Sequence, residues 1–261
     1  MKTKPGFSAP CRLAVATVLL LGACSSDPSS DDEAATTPSE SSTPTTSPVP
    51  SDEPAGEPTY TPNPGEVFKL TEDQEWATLR EGRYLAWGMS GSLRYEVDVP
   101  DGWRVLQGTY INSPARRGTF LVARTPKRNT ELPVHPCRDH SLTLVGPSVD
   151  DLADAFASLP LWKVTKPRPV TLDGRRAMYL EVKLPDRVDP ADCVDQAVWQ
   201  YEAGQDGLWT EEAYWARWWI LEVGGERFTV MARCYAICTE ADLDTMSAMA
   251  ESITFLPRRK A

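Results

Sequence analysis

The chain has 261 residues, with 37 Asp and Glu, 27 Lys and Arg, two His and six Cys. All 37 acids and 24 of the 27 bases lie after residue 23, so the chain beyond that point carries a formal charge of −13. This excludes the basic footprint that a nucleic-acid binder needs, and two His exclude a His-rich metal cage.

The first 23 residues hold three bases, Lys2, Lys4 and Arg12, and no acid. Leu13 to Ala23 is an apolar run. A membrane-spanning helix needs about 20 apolar residues, so this run reads as the core of a signal peptide. It closes with Leu21-Gly22-Ala23-Cys24, an aliphatic residue, two small residues and Cys, which is the pattern of a bacterial lipobox. Small residues let the backbone enter a peptidase site, and the Cys24 thiol takes a diacylglyceryl group of the palmitate type. Two acyl chains anchor stably where one is marginal. Cys24 is the expected lipidation site, Cys11 leaves with the signal, and the expected location is the extracytoplasmic face of the cell membrane.

Residues 24–65 are expected to form a disordered tether. Ser25 to Gly65 holds eight acids, no Lys or Arg, frequent Pro and almost no apolar residues. Such a segment cannot offset its ordering entropy. As a flexible coil it would span roughly 35–40 Å, and Pro and like charge extend it further. Thr43 to Ser47 has the composition of an O-glycosylated stalk.

Residues 66–257 are expected to fold as a single α+β domain, an antiparallel sheet with few helices. Leu93 to Val99 alternates apolar and polar residues, as a half-buried strand does. Pro100-Asp101-Gly102 is a turn, and Trp103 opens the next strand. Thr119 to Arg124 and His140 to Val145 are further strands. Val170 to Leu172, Asp173-Gly174 and Ala177 to Leu184 make a hairpin, because Asp-Gly tolerates the positive φ of a type I′ turn. Trp215 to Val223, Gly224-Gly225 and Phe228 to Ala232 make a second. Its first strand is apolar on both faces, which places it centrally, with layers on both sides.

Two helices carry start signals. Ser148 with Asp151, and Thr239 with Asp242, are capping boxes with Asp in place of Glu. Apolar residues follow each at helical spacing, ending in Phe156 and Ile253. Thr254 to Leu256 is a terminal strand.

Four Cys remain beyond Cys24: Cys137, Cys193, Cys234 and Cys238. An even number outside the cytoplasm implies two disulfides, with three pairings open. Cys234–Cys238 is favoured as a staple between the last long strand and the last helix, leaving Cys137–Cys193. The rival is a metal or redox site built from His135, Cys137, Asp139 and His140. Pro136 interrupts that cluster and no CxxC is present, so no metal and no cofactor are expected.

No catalytic residue is assigned. Gly88-Met89-Ser90-Gly91-Ser92 approaches a nucleophile elbow but lacks its final Gly and precedes a strand. Neither a phosphate loop nor HExxH occurs. The acid pairs Asp150/Asp151, Asp192/Asp195 and Glu211/Glu212 lie at a helix start or near loops. The densest unusual feature is aromatic: Trp199, Tyr201, Trp209, Tyr214, Trp215, Trp218 and Trp219. Neighbours in a strand point to opposite faces, so Trp218 and Trp219 serve two layers, or one of them lines a groove. Trp209, Tyr214 and Trp215 are the candidate binding surface.

Tyr95-Glu96-Val97-Asp98-Val99-Pro100-Asp101-Gly102-Trp103 resembles the opening of PsbP-like domains, and Ala250 to Phe255 resembles their last helix and strand. His135-Pro136-Cys137, Val170 to Gly174 and Trp219 to Gly225 are similar to a recurring module of actinobacterial-type secreted lipoproteins. The resemblance covers residues 90–257. It implies an α/β/α sandwich around an antiparallel sheet and a non-catalytic binding or assembly role, and it transfers no catalytic residues. The expected function is a lipid-anchored cell-envelope protein that binds a ligand or partner, such as a cell-wall glycan, a lipid or a membrane protein. The alternatives are an envelope hydrolase using carboxylates or a bound metal, and a structural accessory subunit of a membrane complex.

Overall fold

The chain divides into two units, Met1–Asp52 and Glu53–Ala261. The computed structural model describes residues 57–73, 75–89, 93–114, 118–139, 141–203, 206–210, 212–235 and 237–256, with the backbone alone over 201–209. The expected signal peptide, Cys24 and most of the expected tether lie outside the described residues.

The described chain opens with short strands: β1 (Thr59–Tyr60), β2 (Val67–Lys69), β3 (Ala77–Leu79) and β4 (Gly82–Trp87). β5 (Arg94–Val99), β6 (Trp103–Leu106), β7 (Tyr110–Asn112), β8 (Gly118–Arg124), β9 (Thr130–Pro133) and β10 (Leu142–Leu144) precede helix α1 (Val149–Ala157). Then come β11 (Lys163–Val164), β12 (Arg168–Leu172), β13 (Arg175–Lys183), β14 (Val198–Ala203) and β15 (Asp206–Thr210). The chain closes with β16 (Tyr214–Val223), β17 (Glu226–Tyr235), α2 (Glu240–Glu251) and β18 (Thr254–Phe255).

The two expected hairpins form the centre. Asp173 and Gly174 have φ of 49° and 68°, and Gly224 and Gly225 have 59° and 84°, the left-handed pairs of a type I′ turn. Among the described residues the central sheet has ten strands, in the order β1-β3-β6-β7-β8-β17-β16-β13-β11, with β12 also on β13. All its pairings are antiparallel except β1 with β3. Two four-stranded sheets, β10-β9-β14-β15 and β18-β5-β4-β2, complete a sheet-rich α+β fold with two helices.

Strand alternation divides the core in two. Trp219, Leu221, Phe228, Val230, Phe120 and Val122 point to one side, where α2 and the β18-β5-β4-β2 sheet cover them. Trp218, Ile220, Met231, Leu121, Leu180 and Val182 point to the other, beneath α1. Both helices start as expected, with Ser148 accepting from Asp151 N–H and Thr239 from Asp242 N–H. Arg227 is fully buried and donates to the carbonyls of Thr125, Pro126, Gly146 and Ser148 at 2.7–3.2 Å, which ties the start of α1 to the β8–β9 loop. Burial pulls its pKa down to about 10, so it remains charged at neutral pH.

The fold begins earlier than composition indicates. Residues 57–65 fall within the expected tether, yet Thr59-Tyr60 pairs with Thr78-Leu79. Glu57 forms an ion pair with Arg104, and the Tyr84 hydroxyl donates to the Tyr60 carbonyl at 3.0 Å. Pro62 lies so close to Gly82 that a Cβ there would sit 2.6 Å from its ring. A Pro-rich acidic segment can add a strand at a sheet edge, where part of its hydrogen bonding is left to solvent.

Candidate functional site

Both disulfides form as favoured, Cys137–Cys193 with Cα atoms 4.6 Å apart and Cys234–Cys238 with 5.2 Å. This removes the Cys137 thiolate from any metal site. His140 lies outside the described residues, and among the described residues no group of three His, Cys, Asp or Glu is placed to hold a metal. Asp151 serves the α1 cap and Asp150 pairs with Arg176 at 2.8 Å. Asp192 and Asp195 are exposed in turns. Ser90, Gly91 and Glu211 lie outside the described residues.

The expected aromatic surface does not assemble. Tyr214 is 2% exposed and packs against Trp162 and Tyr235, ring centroids 5.5 and 6.2 Å apart, on the α1 side. Trp215 is half-buried and packs on the α2 side. Adjacent strand residues alternate, so the two cannot share a patch. The Trp209 side chain lies outside the described residues. Trp218 is fully buried with Phe156 edge-on at 4.5 Å, and Trp219 is 5% exposed on the opposite face.

Trp219 borders a cleft of about 270 Å³ on the α2 face. Arg168 and Thr171 of β12, Tyr179 of β13, Arg217 and Trp219 of β16, and Glu251 of α2 line it. Register builds it row by row. Arg168 lies opposite Tyr179, which lies opposite Trp219. The next row holds Glu181 and Arg217, and the row after it Lys183, Trp215 and Cys234. Trp215 lies on the same face of β16, beyond Arg217 from Trp219 and toward the Cys234–Cys238 bridge. The Arg168 guanidinium stacks over the Tyr179 ring at 4.3 Å, and Tyr179 meets Trp219 edge-on at 5.4 Å.

The polar groups of this cleft differ in what they already hold. Tyr179 O–H donates to Glu181 at 2.6 Å, and burial together with that carboxylate drives its pKa far above the tyrosine value. Arg217 donates to Asp244 at 2.6 Å and to Ser247 at 2.9 Å, with Glu181 and Glu240 at 3.7 and 3.9 Å. These acids balance its charge, although its buried Nε has no hydrogen-bond acceptor among the described residues. Arg168 has only the Tyr179 ring, and Glu251 has no ion pair or hydrogen bond within the described protein.

Two other hollows are less suited to recognition. A groove of about 670 Å³ on the other flank of α2 is lined by Glu81, Arg83, Asp98, Asp101 and Thr245. Its cation, Arg83, is spent on Glu96, Asp98, Thr254 and the Ser252 carbonyl. A hollow of about 270 Å³ lies at His135, Pro136, Cys137 and Leu161, beside the first disulfide. Of these three hollows, the cleft combines an aromatic floor with two exposed charges, Arg168 and Glu251, that form no ion pair among the described residues.

Of the cleft residues only Trp219 and, at its margin, Trp215 stood out in the sequence. The missed signal is on β13. Met178, Leu180 and Val182 mark its buried face, while Tyr179, Glu181 and Lys183 form an equally regular polar face opposite. No family model matches the chain, and no curated protein matches it.

Proposed function

We propose that the protein is a lipid-anchored component of the cell envelope, held through the Cys24 thiol on the extracytoplasmic side, whose domain binds a ligand or partner without chemistry. The lipobox and the acidic, Pro-rich leader support the anchor. The two disulfides agree with an oxidising compartment. In this reading the fold is PsbP-like, with β5, the Pro-Asp-Gly-Trp turn and the closing α2–β18 pair as its marks.

The observation that carries the binding role is the cleft over Tyr179 and Trp219. Aromatic floors with a few convergent polar groups recognise ligands. Hydrolysis through paired carboxylates needs two acids free to act across the cleft. Here Glu181 accepts from Tyr179 and stands beside Arg217, and Asp244 accepts from Arg217.

Two measurements test the reading. Cys24→Ala moves the protein from the membrane fraction to the soluble fraction; retention in the membrane defeats the anchor. The intact protein co-sediments with purified cell-wall glycan or with solubilised envelope proteins, and a Tyr179→Ala, Trp215→Ala variant of the same fold does so at least tenfold less. Equal recovery of both proteins defeats the cleft as the binding site.

A further inference from the structure

Charge accounting around the cleft singles out two residues. Three charged side chains line it: Arg168, Arg217 and Glu251. The charge of Arg217 is balanced by Glu181 on β13 and by Glu240 and Asp244 on α2, although its buried Nε has no hydrogen-bond acceptor among the described residues. Arg168 and Glu251 are not, and no ion pair joins them to each other although both border the same cavity. They sit on separate supports, Arg168 at the start of edge strand β12 and Glu251 as the last residue of α2. The guanidinium of exposed Arg168 sits over the Tyr179 ring at 4.3 Å, and its N–H groups have no acceptor among the described residues.

Glu251 is the more telling of the two. A carboxylate at a helix C-terminus faces the negative end of the macrodipole and is disfavoured there. The last turn of α2 carries no basic residue to offset this. The position gains from a cation delivered from outside. Arg168 across the cavity has the opposite need, for a planar anion that accepts two N–H bonds. Between them lies an apolar floor of Tyr179, Trp219, Val170 and Leu172.

Resting on the reading of this cleft as a ligand site, we propose that its ligand is a zwitterion of the amino-acid or short-peptide class. Arg168 receives the carboxylate, Glu251 receives the ammonium, and the aromatic floor takes the aliphatic body. The volume of about 270 Å³ agrees; it lies just under the roughly 300–1,000 Å³ of sites for drug-sized ligands. A separation beyond ion-pairing distance also prevents the two side chains from neutralising each other when the site is empty.

The test uses the dipeptide alanyl-alanine, its N-acetylated form, its C-amidated form and the doubly blocked form. Each is titrated into the full chain while the Trp219 indole N–H resonance, assigned with Trp219→Phe, is followed by NMR. The free dipeptide shifts that resonance saturably, and either block weakens binding at least tenfold. Arg168→Ala then binds the free and C-amidated forms equally, and Glu251→Gln binds the free and N-acetylated forms equally. If blocked and free forms bind alike, the cleft remains a ligand site and the charge assignment falls. If no form moves the Trp219 resonance, the inference falls, while the glycan and envelope-protein sedimentation decides the cleft's wider role by itself.

Discussion

The two faces of the central sheet are made from the same strands and obey the same alternation, yet Trp218 on one is fully enclosed while Trp219 on the other borders a cleft. On the α1 face, Trp218 lies fully buried under Phe156, and Arg227 closes the border by holding four carbonyls. On the α2 face, Trp219 occupies the neighbouring position in β16, but α2 turns a polar flank of Asp244, Ser247 and Glu251 toward it. Each face also has its own disulfide, Cys137–Cys193 with α1 and Cys234–Cys238 with α2. The difference teaches that the covering helix decides whether an interior aromatic is core or floor. The strand does not.

The largest expected effect is on packing. Trp218→Ala costs about 3–5 kcal/mol, the usual loss for a fully enclosed large aromatic. Trp219→Ala costs less, since one side of that ring already borders space. Urea denaturation measures both, and equal losses break the contrast between the faces. The disulfides come next. Opening Cys137–Cys193, at a sequence separation of 56, costs about 4 kcal/mol in the chain-entropy model, while opening Cys234–Cys238, at a separation of 4, costs about 2. Paired Cys→Ser variants compared by the same denaturation should keep that order.

Alkaline titration probes both faces together. Burial raises the hydroxyl of Tyr214 on the α1 face to about 12, and that of Tyr84 on the opposite side to about 12. Tyr95 and Tyr179 are raised as well. An unfolded tyrosine ionises near pH 10. Between there and the folded values the native chain holds protons that the unfolded chain releases, so stability falls as pH rises. It is fully present below about pH 10 and is lost toward pH 12. Phenolate absorbance should rise together with the loss of circular dichroism. Ionisation of all eight tyrosines near pH 10 in an intact fold contradicts the burial of these four rings. The smallest effect is also the most symmetric: Ser148→Ala and Thr239→Ala each remove one N-cap, at about 1 kcal/mol apiece.

Features written in local sequence were legible. Asp-Gly and Gly-Gly marked both hairpins, Ser148/Asp151 and Thr239/Asp242 marked both helices, and the even Cys number marked two bridges. Short strands before residue 93 escaped, because two or three residues such as Val67–Lys69 show no period of their own. Sheet order escaped for a different reason: β8 joins β17 across more than a hundred residues. The cleft combines both difficulties. Its walls come from residues 168, 179, 219 and 251, which lie far apart in sequence and are brought together by strand register and by the packing of α2. Tyr214 misled because density along a chain is not proximity in space, where strand neighbours diverge.

The sheet order carries a mechanical corollary. The leader reaches the domain at β1, one margin of the central sheet, while β12 and β13 with their cleft stand at the opposite margin. Seven inter-strand steps at about 4.8 Å separate β1 from β13, roughly 34 Å measured along the sheet. β1 is held by a parallel pairing of only two residues, so losing that pairing would leave the distant strands of the cleft with all of their own partners.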